Sequence, residues 1–138
     1  MIRSIIKDPL LLNQKAKPCR KEDLYLVPIL KETLLAHQEE CVGMAGNMIG
    51  ENKQVIIIKD DQKMVVMFNP EIIKHSKKTY QAQEGCLSLP GQIHEVTRYE
   101  VIKVAYYDEH WNKKIKTYKD FTAEIIQHEM DHLQGIVV

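Results

Sequence analysis

Between Tyr25 and Glu39 apolar residues fall at positions 27, 30 and 34, the spacing of one helical face. Pro28 lies in the first turn of this predicted helix, where its missing N–H costs least. The pattern then changes period. "QVIIIKD" (54–60) and "MVVMFNP" (64–70) are β-rich runs joined by a short polar turn, which predicts a hairpin. Residues 70–92 are mixed and predict short strands, with a Gly/Pro-bounded turn around 85–91. "VTRYEVIKVAYYD" (96–108) predicts a strand that buries Ile102, Val104 and Tyr106 on one face, and "KKIKTY" (113–118) a more exposed one. A last helix is expected over 121–133, with Asp120 as N-cap and Gly135 ending it. Residues 1–20 read as an irregular, partly extended arm, and "CVGMAGNMIG" (41–50) as a Gly-punctuated loop. Strands segregated from two helices predict an α+β fold, with antiparallel β-sheets packed around the C-terminal helix and one N-terminal helix beside them. A length of 138 residues suits one domain spanning 1–138.

Composition narrows the function little. The chain is 44% hydrophobic and 28% charged, with 19 basic and 19 acidic residues, so no net charge drives it towards nucleic acid or anionic membrane. No apolar run has transmembrane length. In "MIRSIIKDPLLL" Lys7, Asp8 and Pro9 interrupt what a signal peptide would need, so the expected compartment is the cytoplasm. Three cysteines, Cys19, Cys41 and Cys86, cannot all pair, which argues against a disulfide framework.

The informative stretch is "QHEMDHLQG" (127–135). His128 and His132 are four residues apart, which on a helix is about 40° of rotation and one turn of rise, so both imidazoles can face one cation. Glu129 projects to the flank, where a carboxylate can serve as general base without ligating. The competing reading of the same residues is a solvated helix face.

A catalytic metal usually takes a third protein ligand. Neither familiar downstream completion of this pattern is present, since Val138 stands where one would need His and no distal Glu follows. The third ligand is therefore expected upstream, among Cys19, Cys41, Cys86, Glu84, His94 and His110. Cys86 is the best placed: "EGCLSLPG" is a turn bounded by Gly85, Pro90 and Gly91 that can present a thiolate from a fixed backbone. His94 remains open. A Cys/His/His set suits Fe²⁺, Zn²⁺, Ni²⁺ or Co²⁺. Such an ion makes hydroxide available near neutral pH, and with Glu129 relaying a proton the expected reaction is hydrolysis of an amide-like carbonyl.

With these residues in place the sequence resembles the peptide deformylases. EGCLS is intact as Glu84 to Ser88 and QHExDHLxG as Gln127 to Gly135, whereas GxGxAxxQ is only partly matched by "CVGMAGNM", where Cys41 replaces the first Gly and Met48 the Gln. The resemblance implies Cys86, His128 and His132 as ligands of one divalent metal, Fe²⁺ in the cell, with Zn²⁺, Ni²⁺ or Co²⁺ tolerated. It implies Glu129 as general base and acid, and the Leu87 N–H as oxyanion donor. Gly43 and Ala45 would line the substrate groove, and the Glu84–Arg98 pair would brace the Cys turn. The implied reaction removes formyl from N-formylmethionyl nascent peptides, at the ribosome, as part of N-terminal methionine processing.

Met48 departs from that pattern in a way that bears on chemistry, because a thioether cannot donate the hydrogen bond a Gln amide would. Loss of one oxyanion donor costs about 2.7–4 kcal/mol. The neighbouring Asn47 carries an amide and could substitute, or could serve a turn. For the methionine pocket the expected residue is Ile125, with Ile126 and Met44 as alternatives or plain core. The short tail "GIVV" can form only a short strand, which makes docking through a further C-terminal helix doubtful. Cys41 and Met48 leave open a weakly active or non-catalytic paralogue, and the His pair alone would also suit another metal-dependent amidohydrolase or peptidase.

Overall fold

The computed structural model describes residues 1–136. The helix expected over 25–39 is α2, Leu26–Ala36, preceded by a 3₁₀ turn over Lys21–Tyr25, and Pro28 does lie in its first turn. It buries Leu26, Leu30 and Leu34. The arm is less irregular than its sequence suggests. It holds a one-turn helix α1, Pro9–Leu12, whose first turn is capped by Asp8 accepting from the Leu10 N–H at 3.0 Å. Leu12 is fully buried, and that burial is what fixes so short a helix.

The segment expected to be a loop, 41–50, contains strand β1, Gly43–Ala45, and a 3₁₀ turn, Gly46–Ile49. Neither is legible locally. β1 exists because it pairs antiparallel with β2, Val55–Asp60, from Gly43↔Ile58 to Ala45↔Ile56. The predicted hairpin of β2 with β3, Lys63–His75, is present, but β3 runs five residues further than its apolar run. Pro70 falls in the stretch where the β3–β6 register shifts, between Phe68 and Glu71, so its missing N–H breaks no regular pairing.

β6, Val101–Tyr107, buries Ile102, Val104 and Tyr106 as expected, and β7, Lys113–Lys119, is exposed except at Tyr118. The antiparallel order β1-β2-β3-β6-β7 makes one five-stranded sheet. The mixed region resolves into a long hairpin rather than several short strands: β4, Thr79–Cys86, pairs with β5, Leu89–Tyr99, from Thr79↔Tyr99 to Gly85↔Ile93. Its register shifts just before the Cys86↔Leu89 pair, which puts Cys86 at the tip.

The final helix, α3, covers Asp120–Leu133 and packs against β1 and β2. Val55 to Ile58 are all fully buried, so β2 is covered on both faces. Asp120 is not the N-cap. Lys119 holds that place, while Asp120 has a left-handed φ of 56 and its N–H donates to the Glu100 carbonyl at 2.9 Å. Gly135 ends the helix as expected, in a Schellman arrangement: Gly135 N–H donates to His132 O and Ile136 N–H to Asp131 O, both at 3.0 Å. A Cβ there would also lie 2.5 Å from the Asn13 carbonyl oxygen. Of the expected strand over 135–138, Gly135 and Ile136 belong to this cap, and 137–138 lie outside the described residues. Among the described residues no helix is long and apolar enough to cross a membrane.

Candidate active site

α3 carries Ile125, His128, Glu129 and His132, and its packing against β1 and β2 buries all four. The β4–β5 hairpin folds over this face and brings Cys86 to it. One ligand atom from each of Cys86, His128 and His132 lies within 4.8 Å of the others, an arrangement that can hold one metal ion. The donor set, one thiolate and two imidazoles, suits a first-row divalent cation and leaves a coordination position open. Of the other upstream candidates, Cys19 is held in the core, its N–H donating to Asn69 Oδ1 at 2.7 Å, and burial pushes its thiol up to about 12. His110 is exposed on the β6–β7 turn, and His94 lies on β5 opposite Glu84. Cys41 does line the same cavity as Cys86, but burial and the nearby Glu129 charge push its thiol up to about 11, so it stays protonated at neutral pH.

Behind the trio runs a buried polar chain. His128 Nδ1 donates to Glu84 Oε1 at 2.6 Å, and Arg98 donates to both Glu84 oxygens at 2.6 and 3.0 Å and to Asp131 Oδ2 at 2.6 Å. Burial opposes the Glu84 charge, but the His128 and Arg98 hydrogen bonds outweigh it and bring the carboxyl down to about 2. Burial likewise disfavours the imidazolium of His128, and the Cys86 and Glu84 partners reverse this, raising it to about 10. Metal binding here would therefore displace a proton from His128. The Ser88 N–H donates to the Cys86 sulfur at 3.4 Å.

Glu129 is 4% exposed, and its Oε1 has no hydrogen-bond partner among the described residues. Burial pushes its carboxyl up to about 7, against the pull of the His128 charge. A carboxyl at that level can both take and return a proton near neutral pH. Gly43 leaves room for it: a Cβ there would lie 2.8 Å from Ile125 Cγ2 and 3.0 Å from Glu129 Oε2.

These groups open onto a cavity of about 530 Å³. Its walls include Gly43, Met48, Leu87 and Ile125. Ala45 and Asn47, expected in the groove, are not in its walls. Ala45 is fully buried in β1, where its N–H donates to Met48 Sδ at 3.4 Å. Asn47 is 3% exposed, and its amide donates to His132 O at 2.8 Å and Leu12 O at 3.3 Å. Both amide protons are thus committed to α3 and α1, which corrects the expectation of a substitute oxyanion donor. Asn47→Ala is expected to lose about 1–3 kcal/mol of stability, because it leaves two buried carbonyls with fewer donors. Urea unfolding checks this, and an unchanged midpoint would contradict it. Ile126 and Met44 are core residues, fully buried.

Three contributors escaped the sequence. Asp131 anchors Arg98. Gln127 joins α3 to the end of β5 by accepting from Tyr99 N–H and donating to Tyr99 O, both at 2.9 Å. Glu124 accepts a hydrogen bond from the Tyr80 hydroxyl at 2.8 Å and stands in the cavity wall. The only sequence signal for Glu124 is its spacing, one turn before His128.

Residues 2–138 match the family model described as polypeptide deformylase. The chain is 45% identical to a peptide deformylase of Clostridium beijerinckii, over the whole of both chains. Among solved structures it resembles the Met-Ala-Ser-bound class I type b peptide deformylase of Acinetobacter baumannii, with a TM-score of 0.89, 30% identity, and 99% and 96% of the two chains covered. It also resembles peptide deformylase from Thermotoga maritima, with a TM-score of 0.90, 30% identity, and 99% and 95% covered. A thiolate and two imidazoles converging beside a buried glutamate, on a fold shared over nearly its whole length with these enzymes, place the chain in the polypeptide deformylase family as a metal-dependent hydrolase.

Proposed function

We propose that residues 1–138 form one catalytic unit that removes formyl from the N-formylmethionine of nascent peptides in the cytoplasm. The single observation that carries this reading is the convergence of Cys86, His128 and His132 beside Glu129 at the head of a peptide-sized cavity. The bound ion is Fe²⁺ in the cell, with Zn²⁺, Ni²⁺ or Co²⁺ accepted by the same donors. When bound, it supplies Lewis acidity, which makes hydroxide available near neutral pH. Cys86, His128 and His132 hold it, and Glu84 fixes the His128 ring from behind. Glu129 takes the proton of the attacking water and returns it to the leaving amine. The Leu87 N–H, following Cys86 in the hairpin tip, stabilises the oxyanion. Ile125 and Gly43 line the side that receives the methionine side chain. A relative bound to Met-Ala-Ser supports a methionyl peptide as product.

The test is formate release from formyl-Met-Ala-Ser by protein prepared anaerobically with Fe²⁺ or Ni²⁺. Formate with free Met-Ala-Ser is expected. Bound metal without formate, or internal peptide cleavage instead, would overturn the reading. Because Met48 offers a thioether where the family uses an amide donor, Met48→Gln is expected to raise turnover, by up to about 10²-fold if the amide regains the oxyanion. An unchanged kcat would show that the backbone donor suffices.

A further inference from the structure

We propose that the end of the five-stranded sheet around Lys74, Lys103 and Thr117 is a second binding site, which takes a nucleotide with its phosphate on the two lysines and its base in the slot beside them. Among the described residues it shares no wall with the metal cavity, so it does not depend on the reaction assigned there.

The site begins as a row across three strands. Lys74 of β3 lies opposite Lys103 of β6, and Lys103 lies opposite Thr117 of β7. Residues so placed have Cβ atoms about 4.5–5.5 Å apart, and like charges directly opposite each other destabilise a sheet. Among the described residues neither lysine joins an ion pair, and no Asp or Glu lines the slot. The lysines of β7 have an ordinary explanation. Lys113, Lys114, Lys116 and Lys119 stand on an edge strand, where charge discourages pairing with another sheet. That explanation does not reach Lys74 and Lys103, because β3 and β6 are both interior strands in the order β1-β2-β3-β6-β7. A phosphate held by both ammonium groups converts their repulsion into shared attraction, and the Thr117 hydroxyl is placed to donate to it.

Beside the row lies a slot of about 240 Å³. This is smaller than the about 300–1,000 Å³ of a drug-sized pocket, so it suits one ring system rather than a peptide. Its apolar walls are Val101 and the fully buried Ile102. The His75 ring, also in the wall, is held in place: it stacks on Tyr99 with centroids 3.8 Å apart, and its Nδ1 donates to the Ser76 carbonyl at 2.9 Å. The Ser76 hydroxyl is already engaged, donating to Lys78 O at 2.9 Å and accepting from the Val101 N–H at 3.2 Å. Recognition of charge therefore falls to the lysines and Thr117, and the rest of the slot offers a flat, largely apolar surface. A nucleotide carries both halves of the complement, a planar base and a phosphate. The β7 lysines extend the positive field along the sheet edge, so the phosphate can come from a mononucleotide or from an RNA strand.

The experiment titrates Zn²⁺-loaded protein with AMP, adenosine, inorganic phosphate and a short oligoadenylate, following backbone amide chemical shifts by NMR at low and high salt. With AMP, shifts are expected at residues 74–76, 101–103 and 117, and binding should weaken as salt rises. The double variant Lys74→Gln, Lys103→Gln should bind AMP at least about tenfold more weakly, the loss expected when hydrogen bonds to a charged group are removed. Oligoadenylate that binds more tightly than AMP, with a steeper salt dependence, would identify a strand as the source of the phosphate. Equal affinities would identify the mononucleotide. Either result supports the site. Absence of shifts at these residues with AMP and oligoadenylate would overturn the proposal, as would shifts confined to α3 and the metal ligands. AMP binding unchanged in the double variant would remove the lysines from the site. Inorganic phosphate binding as tightly as AMP, or adenosine doing so, would overturn the pairing of base slot and phosphate row.

Discussion

Glu129→Gln is expected to lower formate release by about 10²–10⁴-fold while metal content stays the same, because a positioned acid–base group contributes rate acceleration of that order. The substitution keeps shape and removes only the ability to carry a proton. Glu129 is not among the three side chains that converge on the metal position, so the ion should remain. Its neighbours are also undisturbed, since Gly43 already leaves the space that the side chain occupies. Steady-state formate release together with metal analysis of the same preparation checks both halves. Activity within tenfold of wild type would remove Glu129 from the proton-transfer step. Loss of metal would instead make it a ligand.

Arg98→Ala is expected to destabilise the protein by about 3–5 kcal/mol, the usual penalty for stranding one half of a buried ion pair. Arg98 is 5% exposed and Glu84 7%. Without the guanidinium, buried Glu84 keeps His128 as its charged partner among the described residues. A second effect follows from the same chain of contacts. Glu84 orients His128, so metal affinity should fall about 10–100-fold, as it does when such supporting partners are removed. Urea unfolding and metal competition measure the two separately. Arg98→Lys should recover part of the stability, since it restores charge but not the two-pronged contact with Glu84. A loss below about 1 kcal/mol would mean the pair behaves as a surface ion pair does.

The site was far more legible in the sequence than the fold around it. His128, Glu129 and His132 could be read together because a helix relates residues four apart by fixed geometry, whatever else the chain does. Cys86 could be read because its turn residues mark a hairpin tip. β1 and α1 could not, since three residues of strand and one turn of helix have no local pattern. Their existence depends on the pairing of Gly43–Ala45 with β2 and on the burial of Leu12.

The roles of Asn47, Ala45 and Ile126 show the same division. Composition marks them as an amide, a small residue and an isoleucine, and only the packed structure decides which face of the chain meets the cavity. The sequence by itself determined the α+β class and the shared face of His128, Glu129 and His132, because these rest on periodicities and spacings within single elements. Only the tertiary structure decided that Asn47 ties α1 to α3, that Asp131 completes the Arg98 chain, and that Glu124 stands in the cavity wall. Those contacts join residues far apart in the chain, and no local rule of spacing relates residues that meet only when separate elements pack.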